Sequence, residues 1–126
     1  MNEVGAVSAW VGNASSGEVF DSAHSVSFSD DGDFLGSAFS RAFNIGYYDE
    51  GFREAGYRDI PARNLTDLLE GASYPEVVIP RLQGGLPGPL VANCFVLLYD
   101  YRHAGPHSWT GEGLFLGFIG TAAYQF

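Results

Sequence analysis

Val91-Ala92-Asn93-Cys94-Phe95-Val96-Leu97-Leu98-Tyr99-Asp100-Tyr101 is the stretch that decides the fold. Successive side chains of an extended chain point to opposite faces. Here Phe95 and Leu97 share one face and Cys94, Val96 and Leu98 the other, so neither face suits water. Such a strand lies mid-sheet, with cover above and below at least in part. Leu114 to Tyr124 reads as a second strand of this kind, and Gly117 and Gly120 within it mark a bulge or a close approach. Between the two, His103 to Gly111 is punctuated by Gly105-Pro106 and reads as a long hairpin loop.

Upstream of this region, Gln83 to Pro89 holds three glycines and two prolines and is read as a loop. Ser73-Tyr74-Pro75-Glu76 has the spacing of a capping box opening a helix, with proline where its missing N–H costs nothing. Pro80 predicts an end or kink near Val78-Ile79. Asn64 starts a shorter helix with Leu65, Leu68 and Leu69 inward, closed at Gly71. Leu35, Phe39 and Phe43 are four apart, which places them on one face of a helix that Gly46 ends. Tyr47 to Tyr57 fits a short strand, a helical turn, or both in succession. Ser25 to Phe34 alternates and then enters an acidic turn. Ser15 and Glu18 have capping-box spacing before a helix carrying Val19, Phe20 and Ala23. Val7 to Gly12 reads as a first strand, ended by a Gly12-Asn13 turn. The expected architecture is α+β: one domain, a largely antiparallel sheet, and helices packed mainly on one face.

The composition agrees with one well-packed domain. The chain has 126 residues, 46% hydrophobic and 15% aromatic, which excludes disorder and suffices for a single core. Fifteen acids against six bases give a net charge of −9, and every base is Arg. That balance disfavours nucleic acid and anionic lipid and favours a basic protein partner; solubility is the competing explanation. Cys94 is the single cysteine, so no intrachain disulfide forms, and its apolar neighbours make it a small core hydrophobe. The sequence shows neither a secretion signal nor a membrane-spanning stretch, and the cytoplasm is the expected location.

Candidate functional residues fall in two acidic clusters. Asp30, Asp31 and Asp33 could bind a hard cation, but the spacing of a calcium-binding loop is not met, and a solvated or partner-docking turn is the plainer reading. Asp49, Glu50 and Glu54 follow Tyr47 and Tyr48. Adjacent carboxylates on a strand point to opposite faces and do not flank a substrate as a glycosidase pair does. Acids beside paired tyrosines suit an interface, although strand alternation would bury one tyrosine of the two. His103 and His107 have a zinc-helix spacing, but Gly105-Pro106 between them rules out a helix, and they read as loop decoration. The glycines form no dinucleotide or phosphate loop. No catalytic apparatus accompanies the acids.

Five segments, in order, resemble the immunity protein 22 family of bacterial polymorphic-toxin systems. They are Val7-Ser-Ala-Trp10-Val-Gly12-Asn13; Ser37-x-Phe39 through Gly46-Tyr47-Tyr48-Asp49-Glu50-x-Phe52-x-Glu54; Leu68-Leu69-Glu70-Gly71-x-Ser73-Tyr74; Asn93-x-Phe95 through Tyr101; and Phe118-Ile-Gly120-x-x-x-Tyr124. Ala42 and Gly51 depart from it where acids are expected, and Ala14 where a larger apolar residue is. The resemblance implies an antidote that binds and neutralises one cognate toxin domain, often a nuclease, with no cofactor and no catalysis. The expected contacts are Asp30, Asp31 and Asp33 together with Tyr47, Tyr48, Asp49, Glu50 and Glu54. The runner-up is a small metal-dependent hydrolase using the same acids; a third reading is a subunit with a constitutive partner.

Overall fold

The computed structural model describes residues 2–86 and 88–125. Its frame is a five-stranded antiparallel sheet. The strands are β1 (Asn2–Ala14), β4 (Arg53–Ala62), β5 (Ala92–Tyr101), β6 (Ser108–Gly111) and β7 (Leu114–Ala123), in the order β4-β5-β1-β7-β6. A two-residue and a three-residue strand, β2 (Ser27–Phe28) and β3 (Phe34–Gly36), form a separate hairpin. Four helices complete the fold: α1 (Gly17–His24), α2 (Ala38–Ala42), α3 (Leu65–Leu68) and α4 (Pro75–Gln83).

The α+β class and the antiparallel sheet are those the sequence predicts. The helices, however, are shared between the two faces of the sheet instead of gathering mainly on one. Val7, Ala9, Val11, Phe95, Leu97 and Tyr99 meet Leu65 and Leu68 of α3 and Val78 and Leu82 of α4. Trp10, Cys94, Val96, Leu98 and Leu116 meet Phe20 of α1 and Phe39 of α2. The physical reason lies in β5, whose side chains are buried on both faces from Ala92 to Tyr99. Each large apolar side chain so covered contributes roughly 1.5–3 kcal/mol.

Several local expectations shift by a residue or by an element. β5 and β7 do not form a hairpin with each other: β1 runs between them, and the predicted loop contains β6, which pairs with β7. The first strand continues through Asn13 and Ala14, so Gly12-Asn13 is no turn. Ser16, not Ser15, caps α1, its Oγ accepting from Val19 N at 3.2 Å; Ser15 is drawn away by a backbone bond to Gly113 O at 2.8 Å. Leu35 lies on β3 and is exposed, while Phe39 and Phe43 are buried as read. α2 ends well before Gly46, at Phe43, and Asn44 takes the left-handed conformation. Asn64 caps α3 as expected, Oδ1 accepting from Asp67 N at 2.8 Å. Ser73 does not cap α4, which opens at Tyr74 without a side-chain cap.

Pro80 neither ends nor breaks α4, which runs on to Gln83. An interior proline costs about 3 kcal/mol; burial of Val77, Val78, Ile79 and Leu82 outweighs it at roughly 1.5–3 kcal/mol each. Pro87, within the predicted loop, lies outside the described residues. The bulge expected near Gly120 is present. Ala9 faces Gly120 and Trp10 faces Phe118, leaving Ile119 as the extra residue. It turns the strand over: Leu114 and Leu116 face α1 and α2, whereas Ala122 and Tyr124 join the opposite cluster. No helix among the described residues is long and apolar enough to cross a membrane.

A candidate partner-binding cleft

The acidic turn caps the β2–β3 hairpin. Ser29 N donates to Asp33 O at 2.8 Å, Gly32 N to Ser29 O at 2.9 Å, and Asp33 N to Ser29 Oγ at 3.0 Å. Gly32 has a φ of 88°, the left-handed conformation that glycine accepts without cost. The backbone bonds are closed within the turn, so Asp30, Asp31 and Asp33 are left exposed.

An aromatic bridge ties this hairpin to the second acidic cluster. Phe34 packs edge-on against Tyr47 and Tyr48, with ring centroids at 5.2 and 5.8 Å, and against Phe28 at 5.8 Å. One of the paired tyrosines is buried, as expected, although neither lies on a strand: Tyr48 is 5% exposed and Tyr47 65%. Arg53 Nη1 donates to Tyr48 Oη at 3.3 Å and to His24 O at 2.8 Å, locking the segment onto the end of α1. Tyr47 to Tyr57 is a turn followed by a strand: a 3-10 turn at Glu50–Phe52 runs directly into β4. Asp49 caps that turn, Oδ1 accepting from Gly51 N at 2.8 Å, and Glu50 sits 3.8 Å from Arg53.

Glu54 is spent inside the fold. Its carboxylate accepts from Ser73 N at 2.9 Å, Ser73 Oγ at 2.6 Å and Tyr99 Oη at 2.8 Å. Of the eight residues singled out in the sequence, Asp30, Asp31, Asp33, Tyr47, Asp49 and Glu50 are thus exposed; Tyr48 and Glu54 are tied into the interior.

Tyr47, Tyr48, Asp49 and Phe52 form one wall of a cleft of about 280 Å³, and Tyr99, Asp100 and Tyr101 at the end of β5 form the other. Val4 stands at its lip, 83% exposed, and Phe52 is 49% exposed. Sequence reasoning missed the second wall, since nothing in the Tyr99-Asp100-Tyr101 run distinguishes it from ordinary strand. Asp100 has a φ of 57°, a left-handed conformation that costs a non-glycine residue roughly 1–3 kcal/mol and that Asp tolerates best. It is held there by Gly5 N, which donates to Oδ1 at 2.9 Å, and by the Tyr124 hydroxyl. Opposite it, β1 jumps register between Asn2 and Val7.

Tyr99, Tyr101 and Tyr124 are each held in the protonated form. Burial, and then the hydrogen bond to Glu54, push the Tyr99 hydroxyl far above its ordinary range. Burial raises Tyr101, and the hydrogen bond to Asp100, followed by burial, lifts Tyr124 to about 12.

Arg41 donates to Leu35 O, Arg53 to His24 O, Arg58 to Asp67 O and Arg81 to the carbonyls of Ala123 and Gln125. Arg102 pairs with Glu3 at 2.8 Å, and that bond holds Glu3 below the usual carboxylate range. Arg41, Arg53, Arg58 and Arg81 thus serve backbone carbonyls, while Arg53 and Arg102 stand 3.8 and 2.8 Å from Glu50 and Glu3.

Other reactive groups are core. Burial raises the Cys94 thiol to about 12, which leaves it inert. His103 is no loop decoration: it is 6% exposed, packed against Trp10, Phe43 and Phe118, with Nε2 2.7 Å from Pro106 O. Among the described residues, no three His, Cys, Asp or Glu side chains gather so as to hold a metal ion.

The family model described as Immunity protein 22 matches residues 7–125. Comparison with the curated proteins and with the solved structures gives no match.

Proposed function

Because the chain belongs to the immunity protein 22 family, whose general role is to neutralise a toxin, we propose that it binds one cognate secreted toxin domain and blocks its active site or substrate cleft stoichiometrically, without chemistry of its own. The observation that carries this reading is the exposed anionic, aromatic surface running from Asp30 through Tyr47 to Asp49, on a chain of net charge −9. A surface of that kind suits a basic toxin such as a nuclease, which must be cationic where it meets phosphate. Complementary charge raises association rates above the roughly 10⁵–10⁶ M⁻¹s⁻¹ of unsteered encounters, and aromatic anchors slow dissociation.

The test is co-expression with the toxin domain encoded immediately upstream. Cells carrying both are expected to survive, and cells carrying the toxin alone to die. Asp49→Lys with Glu50→Lys is expected to slow association at low salt, with the difference shrinking at high salt. Death in the presence of this chain, or an association rate indifferent to the two substitutions, would overturn the reading.

A further inference from the structure

We propose that the cleft between Tyr47–Phe52 and the end of β5 is a socket for one cationic side chain of the toxin, arginine in preference to lysine, an inference that rests on the immunity reading above. Size comes first. At about 280 Å³ the cleft falls just short of the roughly 300–1,000 Å³ typical of cofactor and drug-sized ligand sites, and it suits a single long side chain.

Its lining decides the chemistry. Among the described residues that line it, Asp49 and Asp100 are the charged ones and none is Arg, Lys or His; Asp100 already accepts from Gly5 N and the Tyr124 hydroxyl, so the exposed Asp49 is the carboxylate that faces a ligand. Tyr47 and Phe52 line it with exposed rings, and the largely buried Tyr99 and Tyr101 line it from the end of β5. The negative face of an aromatic ring attracts a cation, and a carboxylate beside the ring adds to that attraction. A guanidinium stacks on a ring and meets a carboxylate bidentately at once, which an ammonium cannot do.

Exposure points the same way. Val4, Tyr47 and Phe52 are 83%, 65% and 49% exposed around this one cleft. Clustered exposed apolar residues mark interaction surfaces, whereas scattered ones do not. The backbone adds a further sign. Asp100 is held left-handed within a strand, and unfavourable backbone conformations concentrate at binding sites.

The probes are N-acetyl-arginine amide, N-acetyl-lysine amide and the uncharged N-acetyl-norleucine amide, titrated into the ¹⁵N-labelled full chain. The arginine compound is expected to shift the amides of Tyr47, Asp49, Phe52 and Tyr101 saturably, the lysine compound more weakly, and norleucine not at all. Asp49→Asn removes the charge but can still cap Gly51, and Phe52→Ala removes an exposed ring. Each is expected to weaken arginine binding at least about fivefold, while Glu76→Gln on α4, away from the cleft, leaves it unchanged. Shifts absent, equal for norleucine, or unaltered by the cleft variants would overturn the socket. Against the upstream-encoded toxin domain, wild-type binding that both cleft variants retain in full overturns the socket and leaves the immunity reading standing. Failure of the wild type to bind that domain overturns the immunity reading instead.

Discussion

Replacing Glu54 by Ala tests whether its carboxylate serves the fold or the partner. In the structure it accepts from Ser73 N, Ser73 Oγ and Tyr99 Oη at 2.9, 2.6 and 2.8 Å. Hydrogen bonds to a charged acceptor contribute about 1.5–3 kcal/mol each when buried. The two from Ser73 are near the surface, where water replaces them, so about 0.5 kcal/mol apiece is the fair figure. Tyr99 is 9% exposed. Its single hydroxyl proton can turn instead to Ser73 O at 2.9 Å, so losing Glu54 there costs about 1–2 kcal/mol. The sum is about 2–3 kcal/mol, read as a lower urea midpoint at unchanged slope. Glu54→Gln keeps an acceptor and is expected to cost about half as much. Toxin affinity, measured well below the unfolding midpoint, is expected to stay unchanged in both variants. A loss of stability under about 0.5 kcal/mol, or a fall in affinity as large as that from Asp49→Asn, would refute the assignment of Glu54 to the fold.

Stability is expected to hold on a plateau near neutral pH and to fall on both sides, as thermal melts across pH will check. His24 and His103 are held below their ordinary 6.5, chiefly by burial. Their contribution is therefore complete above that value and is lost as pH falls through the lowered ones. Tyr124 and Cys94 are raised from 10.0 and 9.0 to about 12, so what they add is present below the ordinary values and lost as pH climbs toward about 12. Gly12→Ala would place a methyl 1.7 Å from Phe115 O, backbone that cannot step aside. It is expected to cost more than about 3 kcal/mol, seen as loss of soluble protein or of a cooperative melt, and a wild-type melt would contradict the β1–β7 packing.

Much of the frame was legible because it follows from side-chain alternation. The two-faced apolarity of Cys94 to Leu98 announced a covered central strand, and Phe39 and Phe43 announced a buried helix face. The failures have a shared cause, which is competition for a residue by something distant in sequence. Ser15 is claimed by Gly113, Ser73 by Glu54, and the predicted 103–111 loop is partly claimed by β7 as a strand partner. The candidate site was half visible. Tyr47 and the acids around it stand out by composition, and one tyrosine of the pair is buried as expected, although not on a strand. The far wall did not stand out, because it exists only where a register jump in β1 meets the left-handed Asp100.

The position of β1 has a consequence for biosynthesis. Its two hydrogen-bonding neighbours are residues 92–101 and 114–123, so during synthesis β1 has no native sheet partner until the segment that forms β5 has followed it. At about 5–20 residues per second, the delay before β7 emerges is roughly 5–20 s. Until β5 emerges, Ala6 to Val11 lacks both native neighbours, and until β7 emerges it lacks one of them. The sheet can close around β1 only once residues 114–123 have been made.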